Sequence, residues 1–273
     1  MILNVQHRTI YHYDIPVRGV VQSFRLTPSV FDGQRTQAWS IEVSDGLPGG
    51  SFRDGSGDRV TSFSVRGPVS EITVAVSGTV ETVDTSGVLR NHREYVAPDA
   101  YLRDTPMTRS NTAFADLAAS VGDVSDALDL AHRLSEAVSE AIAYTPDVTV
   151  AGTTAAEALA LGQGVCQDQS HALITLARLK NIPSRYVSGY LLADEAKGDS
   201  VKEHRAAHAW AELFVAGLGW VGFDAANRCC PDERYIRLGS GYDSVDAAPI
   251  RGISRGTGEE RLDVTVAVQS VQQ

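Results

Sequence analysis

Gly162-Gln163-Gly164-Val165-Cys166-Gln167-Asp168-Gln169-Ser170-His171-Ala172-Leu173-Ile174-Thr175-Leu176-Ala177-Arg178-Leu179-Lys180-Asn181-Ile182-Pro183 separates two styles of sequence in this chain. The glycines around Gln163 stop whatever helix precedes them, and a new helix is expected to begin at or just after Cys166. It runs through Leu173, Leu176 and Leu179, with Asn181 suited to a left-handed cap and Pro183 to a stop. Upstream, Leu128, Ala131, Leu134, Val138, Ala141 and Ile142 recur at spacings of three and four, one apolar stripe of a helix. Thr154-Ala155-Ala156-Glu157 has the form of a capping box ahead of a short helix. Downstream, residues 185–192, 208–215, 220–225 and 262–268 read as strands, and the polar stretch 193–205 reads as a mobile surface loop. Helices followed by a run of strands predict an α+β domain with an antiparallel sheet.

The first hundred residues differ. Segments 2–13, 17–26, 36–43, 59–65 and 71–83 are rich in Val, Ile, Thr and aromatics. Turn clusters such as Asp45-Gly46-Leu47-Pro48-Gly49-Gly50 and Asp54-Gly55-Ser56-Gly57-Asp58 separate them. The expected division is therefore an all-β domain over 1–100 and an α+β core over 101–273 that includes the C-terminal strand, with 98–106 connecting them and 269–273 frayed. No titratable cluster stands out in the first part, which reads as a structural or partner-binding module.

The chain has 273 residues, 24 Lys and Arg against 34 Asp and Glu, and a net charge of −10. That balance is a poor match to nucleic-acid phosphates or an anionic lipid surface, so neither is expected as a partner. No apolar run is long enough to span a membrane. The start, Met1-Ile2-Leu3-Asn4-Val5-Gln6-His7-Arg8, lacks a basic segment followed by an apolar one. Three cysteines cannot all pair, and adjacent Cys229 and Cys230 would make only a strained bridge. A reducing compartment, the cytoplasm, is the expected location.

Cys166, His208 and Asp224 carry the chemical signal. A thiol acts as a nucleophile only when ionised, and a helix N-terminus or a neighbouring imidazolium favours the thiolate. The unpaired N–H groups of that first turn also suit a developing oxyanion. His208-Ala209-Trp210-Ala211-Glu212-Leu213-Phe214 places His208, Trp210, Glu212 and Phe214 on one face by alternation. Asp224 lies an even number of residues on, so a hairpin turning at Ala216-Gly217 sets it directly opposite His208. A carboxylate there would fix the tautomer of the ring. His171, five residues into the Cys166 helix, is expected to pack or hydrogen-bond instead, and Asp168 and Gln167 to favour the helix dipole. Trp210 and Trp220 read as core or cleft walls. A zinc site from His204, His208, Cys229 and Cys230 lacks both a convincing helix and a C-x-x-C spacing, so no metal or cofactor is expected.

In order along the chain, Gly164-Val165-Cys166-Gln167-Asp168, Ile182-Pro183-Ser184-Arg185-Tyr186-Val187-Ser188-Gly189-Tyr190, His208-Ala209-Trp210 and Trp220-Val221-Gly222-Phe223-Asp224 resemble the transglutaminase-like superfamily. The β-rich first hundred residues resemble the N-terminal domain of its bacterial members, often described as cysteine proteases. Ala248-Pro249-Ile250-Arg251-Gly252 resembles the stretch after the core. The resemblance implies a papain-like core with Cys166 as nucleophile, His208 as general base and acid, and Asp224 as orienter. It implies acyl transfer from a peptide or protein substrate through a thioester. Water would make the protein a peptidase or amidase; an amine would make it a cross-linking transferase. A binding or assembly protein that keeps the fold without turnover is the third reading. Two departures stand out. Gln169-Ser170 replaces an aromatic and a small residue, which is expected to reshape the cleft. Ala225-Ala226-Asn227 replaces Pro-Thr-Asn, which is expected to loosen the turn after Asp224.

Overall fold

A computed structural model describes residues 1–192 and 206–270. Its first sheet is built on two long strands, β1 (Ile2–Phe24) and β4 (Arg59–Thr82), with β2 (Gln34–Val43) and β3 (Gly46–Arg53) on β4. Each long strand joins two segments that the sequence separates. The gap at Asp14-Ile15-Pro16 is an irregularity rather than a break: pairing with β4 shifts register between His12 and Val17 and again before Gly19. Residues 46–50, expected as turn, belong to the exposed strand β3, whose pairing is irregular between Pro48 and Ser51, where a proline costs no ladder bond.

The helices follow. Asn111 caps α1 (Thr112–Val121) and Asp126 caps α2 (Ala127–Ala141). Ala131, Leu134, Val138 and Ile142 of the apolar stripe are fully buried. Two-residue strands β5 (Ala143–Tyr144) and β6 (Gln163–Gly164) pair in parallel around α3 (Ala155–Leu161), which carries the Thr154/Glu157 capping box. Next comes α4 (Cys166–Leu179). Its end is a full Schellman motif: Asn181 is left-handed at φ 57°, and the N–H groups of Asn181 and Ile182 donate to Arg178 O and Ala177 O.

The second sheet comprises β7 (Ser184–Leu191), β8 (Ala207–Val215), β9 (Gly219–Phe223) and β10 (Tyr235–Gly241), all antiparallel in the order β10-β7-β8-β9. Helix α4 packs on β7 and β8, and Leu173, Ile174 and Leu176 share a core with Ala211, Leu213 and Phe223. Sheet membership departs from chain order at the end. Strands β11 (Ile250–Ser254) and β12 (Glu260–Ser270) both pair with β1, from Phe24↔Ile250 to Leu3↔Ser270. Gln269 and Ser270 are thus part of a strand rather than a frayed tail. The expected loop 193–205 and the last three residues lie outside the described residues. Leu3, Val5, Tyr11 and Val266 of the first sheet share a second core with Tyr190, Ile236 and Leu238 of β7 and β10.

A chain of buried charges also crosses between the sheets. Glu212 accepts from Arg185 Nε at 2.7 Å and from Arg237 Nε at 2.8 Å. Arg237 reaches on to Asp58 at 2.7 Å, and Asp58 accepts from Ser240 N–H at 2.7 Å. Arg185 also pairs with Glu94 and lies 4.0 Å over the Trp220 ring. Burial would raise the Glu212 pKa; Arg237 and Arg185 hold it down, from 4.5 to about 2.

Removing one partner of such a network leaves an uncompensated charge. Arg237→Leu is expected to cost about 3–5 kcal/mol in urea unfolding. The stabilisation through Glu212 is fully present above about pH 4.5 and is lost as pH falls toward about 2, so acid unfolding of the wild type should steepen in that window.

Candidate active site

Helix α4 presents Cys166 at its first position. Asp168, 1% exposed, folds back to seal that end: its Oδ2 accepts from Val165 N–H at 2.8 Å and from the Thr149 hydroxyl at 2.7 Å. Gly164 is required by this approach, because a Cβ there would stand 2.8 Å from Asp168 Cβ and Oδ2. The carboxylate expected to favour the dipole is therefore also a cap. The first intrahelical bond is donated by Gln169 N–H to Val165 O, so the N–H groups of Cys166 and Gln167 have no helical partner.

The β8–β9 hairpin supplies the other two side chains. Its pairs run from Val215↔Gly219 to Ala211↔Phe223 and centre on Gly217, one residue beyond the centre at Ala216 that direct opposition of His208 and Asp224 requires. Gly217 and Gly219 both have positive φ, 86° and 84°, and so set that turn. Asp224 is consequently diagonal to His208, not directly opposite. Parity survives the shift, and the same face is kept: His208 Nε2 lies 2.6 Å from Asp224 Oδ2. Cys166 lies near enough to His208 to act on its charge. With Nε2 engaged by Asp224, Nδ1 is the ring nitrogen left for the sulfur.

Five donors converge on Asp224. Oδ2 takes His208, Asn227 Nδ2 at 2.7 Å and the Tyr235 hydroxyl at 2.8 Å. Oδ1 takes the N–H groups of Ala226 at 3.0 Å and Asn227 at 3.2 Å. The turn after Asp224 is therefore tied down by the carboxylate itself, and Ala225-Ala226 does not loosen it. Burial would raise this carboxyl; the bond and charge of His208, with Asn227 and Tyr235, hold it below its ordinary value. For His208, burial would lower the pKa. The charge at Cys166 and the bonds to Asp224 and Cys166 overcome that and lift it from 6.5 to about 10. The balance favours the imidazolium form.

Trp210 stacks on His208 at 6.4 Å and meets Tyr235 edge-on. Tyr235 lies on β10, a strand the sequence did not suggest, and Asn227 was noted only as the end of a turn. Gln169 faces inward rather than into the cleft, donating to Ile142 O at 2.6 Å. His171 is fully buried, accepts from Ser244 N–H at 3.0 Å, and is pushed down to about 4 by burial. Of the residues weighed for zinc, His204 lies outside the described residues. Among the described residues no group of three or more His, Cys, Asp or Glu suits a metal ion.

Cys166 and His208 open onto a cleft of about 410 Å³. His7, Thr9 and Tyr11 of β1 and Leu262 and Val264 of β12 line it together with β7 and the start of β8. The first sheet therefore forms part of the site, although no functional cluster was evident in its sequence.

Residues 115–225 match the family model of the transglutaminase-like superfamily, and residues 3–81 match that of the bacterial transglutaminase-like N-terminal region. An uncharacterized protein of Mycobacterium leprae is 30% identical over 97% of this chain and 98% of its own length. This chain belongs to the transglutaminase-like superfamily. An uncharacterized Mycobacterium tuberculosis protein is 28% identical, over 97% of this chain and 91% of the relative. The crystal structure of a Cytophaga hutchinsonii protein, provisionally assigned as a cysteine protease, superposes with a TM-score of 0.75. It shares 19% identity and covers 100% of this chain and 92% of its own, a likeness of fold.

All three cysteines are free, but they are not equivalent. Burial pushes the thiol of Cys229 up and that of Cys230 up to about 11. Iodoacetamide at pH 7 is expected to modify Cys166 first, read by peptide mapping, and His208→Ala should slow that site while leaving the other two unchanged. Cys166→Ser should lower the His208 pKa, measured by imidazole NMR titration, because it removes the leading charge that holds the ring protonated.

Proposed function

We propose that this protein is a cysteine-dependent amide hydrolase, a peptidase or amidase, with Cys166, His208 and Asp224 as its catalytic triad. The observation that carries this reading is the Asp224–His208–Cys166 relay at the start of α4, with the imidazole lifted toward its charged form.

In the first step the Cys166 sulfur attacks the carbonyl carbon of the substrate. A C–S bond forms and the carbonyl π electrons move to oxygen. The free N–H groups at the start of α4 are suited to hold that oxyanion. Its collapse breaks the C–N bond, and the departing amine takes the proton from His208 Nδ1. A thioester on Cys166 remains. In the second step Nδ1 removes a proton from water as the water oxygen attacks the thioester. Collapse expels the sulfur as thiolate and leaves His208 protonated, which regenerates the pair. Throughout, Asp224 keeps Nε2 protonated and the ring aligned. Asn227 and Tyr235 position Asp224 in turn.

A peptide or protein is the proposed substrate, and no cofactor is required by this sequence of steps. An amine in place of water would give transfer. The cleft offers no carboxylate among the described residues to receive a lysine ammonium, which favours hydrolysis. The free, unpaired thiols fit a reducing, cytoplasmic setting.

The test is a library of blocked peptide anilides assayed with and without a diamine acceptor, with products identified by mass. Hydrolysis predicts free acid as the main product; a diamine adduct as the main product would establish the transferase instead. Cys166→Ala should abolish turnover with the unfolding curve unchanged. His208→Ala should lose about 10²–10⁴-fold in kcat. Tyr235→Phe removes one of the bonds to Asp224 and should cost about tenfold or less. Turnover that persists in Cys166→Ala would refute the reading.

A further inference from the structure

The cleft beside Cys166 has a chemically uniform wall. Two cross-strand pairs of the first sheet, Thr9↔Val264 and Tyr11↔Leu262, sit directly opposite one another on β1 and β12 and line it. Leu26, Leu238 and Ile250 extend the apolar surface. Apart from the Cys166–His208 pair, none of the described residues that line the cleft carries a charge at neutral pH: there is no Asp, Glu, Lys or Arg among them. The remaining imidazole, His7, is neutral. Its nitrogens are engaged by the Tyr190 hydroxyl at 2.7 Å and the Thr9 hydroxyl at 2.9 Å, and burial pushes it down to about 4.

We propose that this face of the N-terminal sheet is the substrate-selecting wall of the site, and that it takes acyl groups whose side chain is apolar and uncharged. The proposal rests on Cys166 being the nucleophile, and it adds what the nucleophile is offered. The physical basis is desolvation. An aliphatic or aromatic side chain entering the cleft removes apolar surface from water on both partners. A carboxylate or ammonium would leave water and meet no counter-charge among the described residues, which is costly. Hydroxyls and amides on the wall, from Thr9, Ser188 and Gln167, are neutral groups that can orient a backbone without offsetting a charge.

Acyloxymethyl ketones of N-acetyl amino acids test this directly. The thiolate displaces the carboxylate from the methylene carbon, a thioether forms, and the side chain occupies the acyl position. Wild-type protein should be labelled at Cys166 at least about tenfold faster by the Phe and Leu ketones than by the Glu and Lys ketones. Leu262 is 49% exposed, so Leu262→Lys should fold. It should slow the Phe ketone and speed the Glu ketone several-fold, with the iodoacetamide rate, which needs no side-chain recognition, unchanged. Equal rates for all four ketones, or a Phe-to-Glu ratio untouched by Leu262→Lys, would overturn the proposal. So would iodoacetamide labelling without labelling by any ketone. A separate measurement distinguishes this from failure of the hydrolase reading: equilibrium binding of acetylated Phe and Glu tripeptide amides to Cys166→Ala protein. A Phe preference there supports the wall even where His208→Ala leaves the reactivity of Cys166 unaltered, and no preference refutes it.

Discussion

The two guanidiniums on Glu212 fix the frame on which everything else is mounted. Glu212 sits on β8, Arg185 on β7 and Arg237 on β10, so three of the four strands of the second sheet meet at one carboxylate. Arg237 continues to Asp58 and Ser29, which belong to the connections of the first sheet. Buried charges tolerate few arrangements, because any register that strands one of them is high in energy. The network thereby selects the strand pairing and the mutual placement of the two sheets together. His208 lies four residues before Glu212 on the same strand and the same face, so the pairing that satisfies the charges also aims the imidazole.

The environment of Asp224 shows how much of a buried carboxylate's state is set by its neighbours. Its partners come from its own turn, from β8 and from β10, and they crowd both oxygens, three donors on Oδ2 and two on Oδ1. That density of donors holds the group ionised despite burial and denies it rotational freedom. The orientation of His208 is inherited from this rigidity rather than from packing of the ring alone.

What was legible in the sequence followed the range of the signal. The start of α4, its Schellman end and the Thr154 capping box are set within a few residues, and they were read where they occur. The shared face of His208 and Asp224 depended only on parity, so it survived a hairpin centred one residue beyond the point that direct opposition requires. Strand β10 was invisible because Tyr-Ile-Arg-Leu-Gly-Ser-Gly is buried on both faces and shows no alternation. Its arginine is made apolar in effect by carboxylates that come from β8 and from Asp58. The irregularity in β1 and the glycine-rich β3 read as turns because turn residues also serve bulges and edges. The contribution of Thr9 and Tyr11 to the cleft had no local signature at all. It arises from how one sheet is laid against the other.

Strand β1 pairs along its length with the last two strands of the described chain, Leu3 meeting Ser270. The hydrogen bonds of β1 are therefore complete only once residues 250–270 have folded back onto it. Pairings of such sequence separation form slowly. The helices and the β7–β10 sheet can gather from neighbouring segments, and α4 can bring its sulfur beside the imidazole before Ile250, Leu262 and Val264 complete the cleft wall. The cleft wall thus depends on the contacts of greatest sequence separation, and it is expected to form later than the approach of sulfur to imidazole.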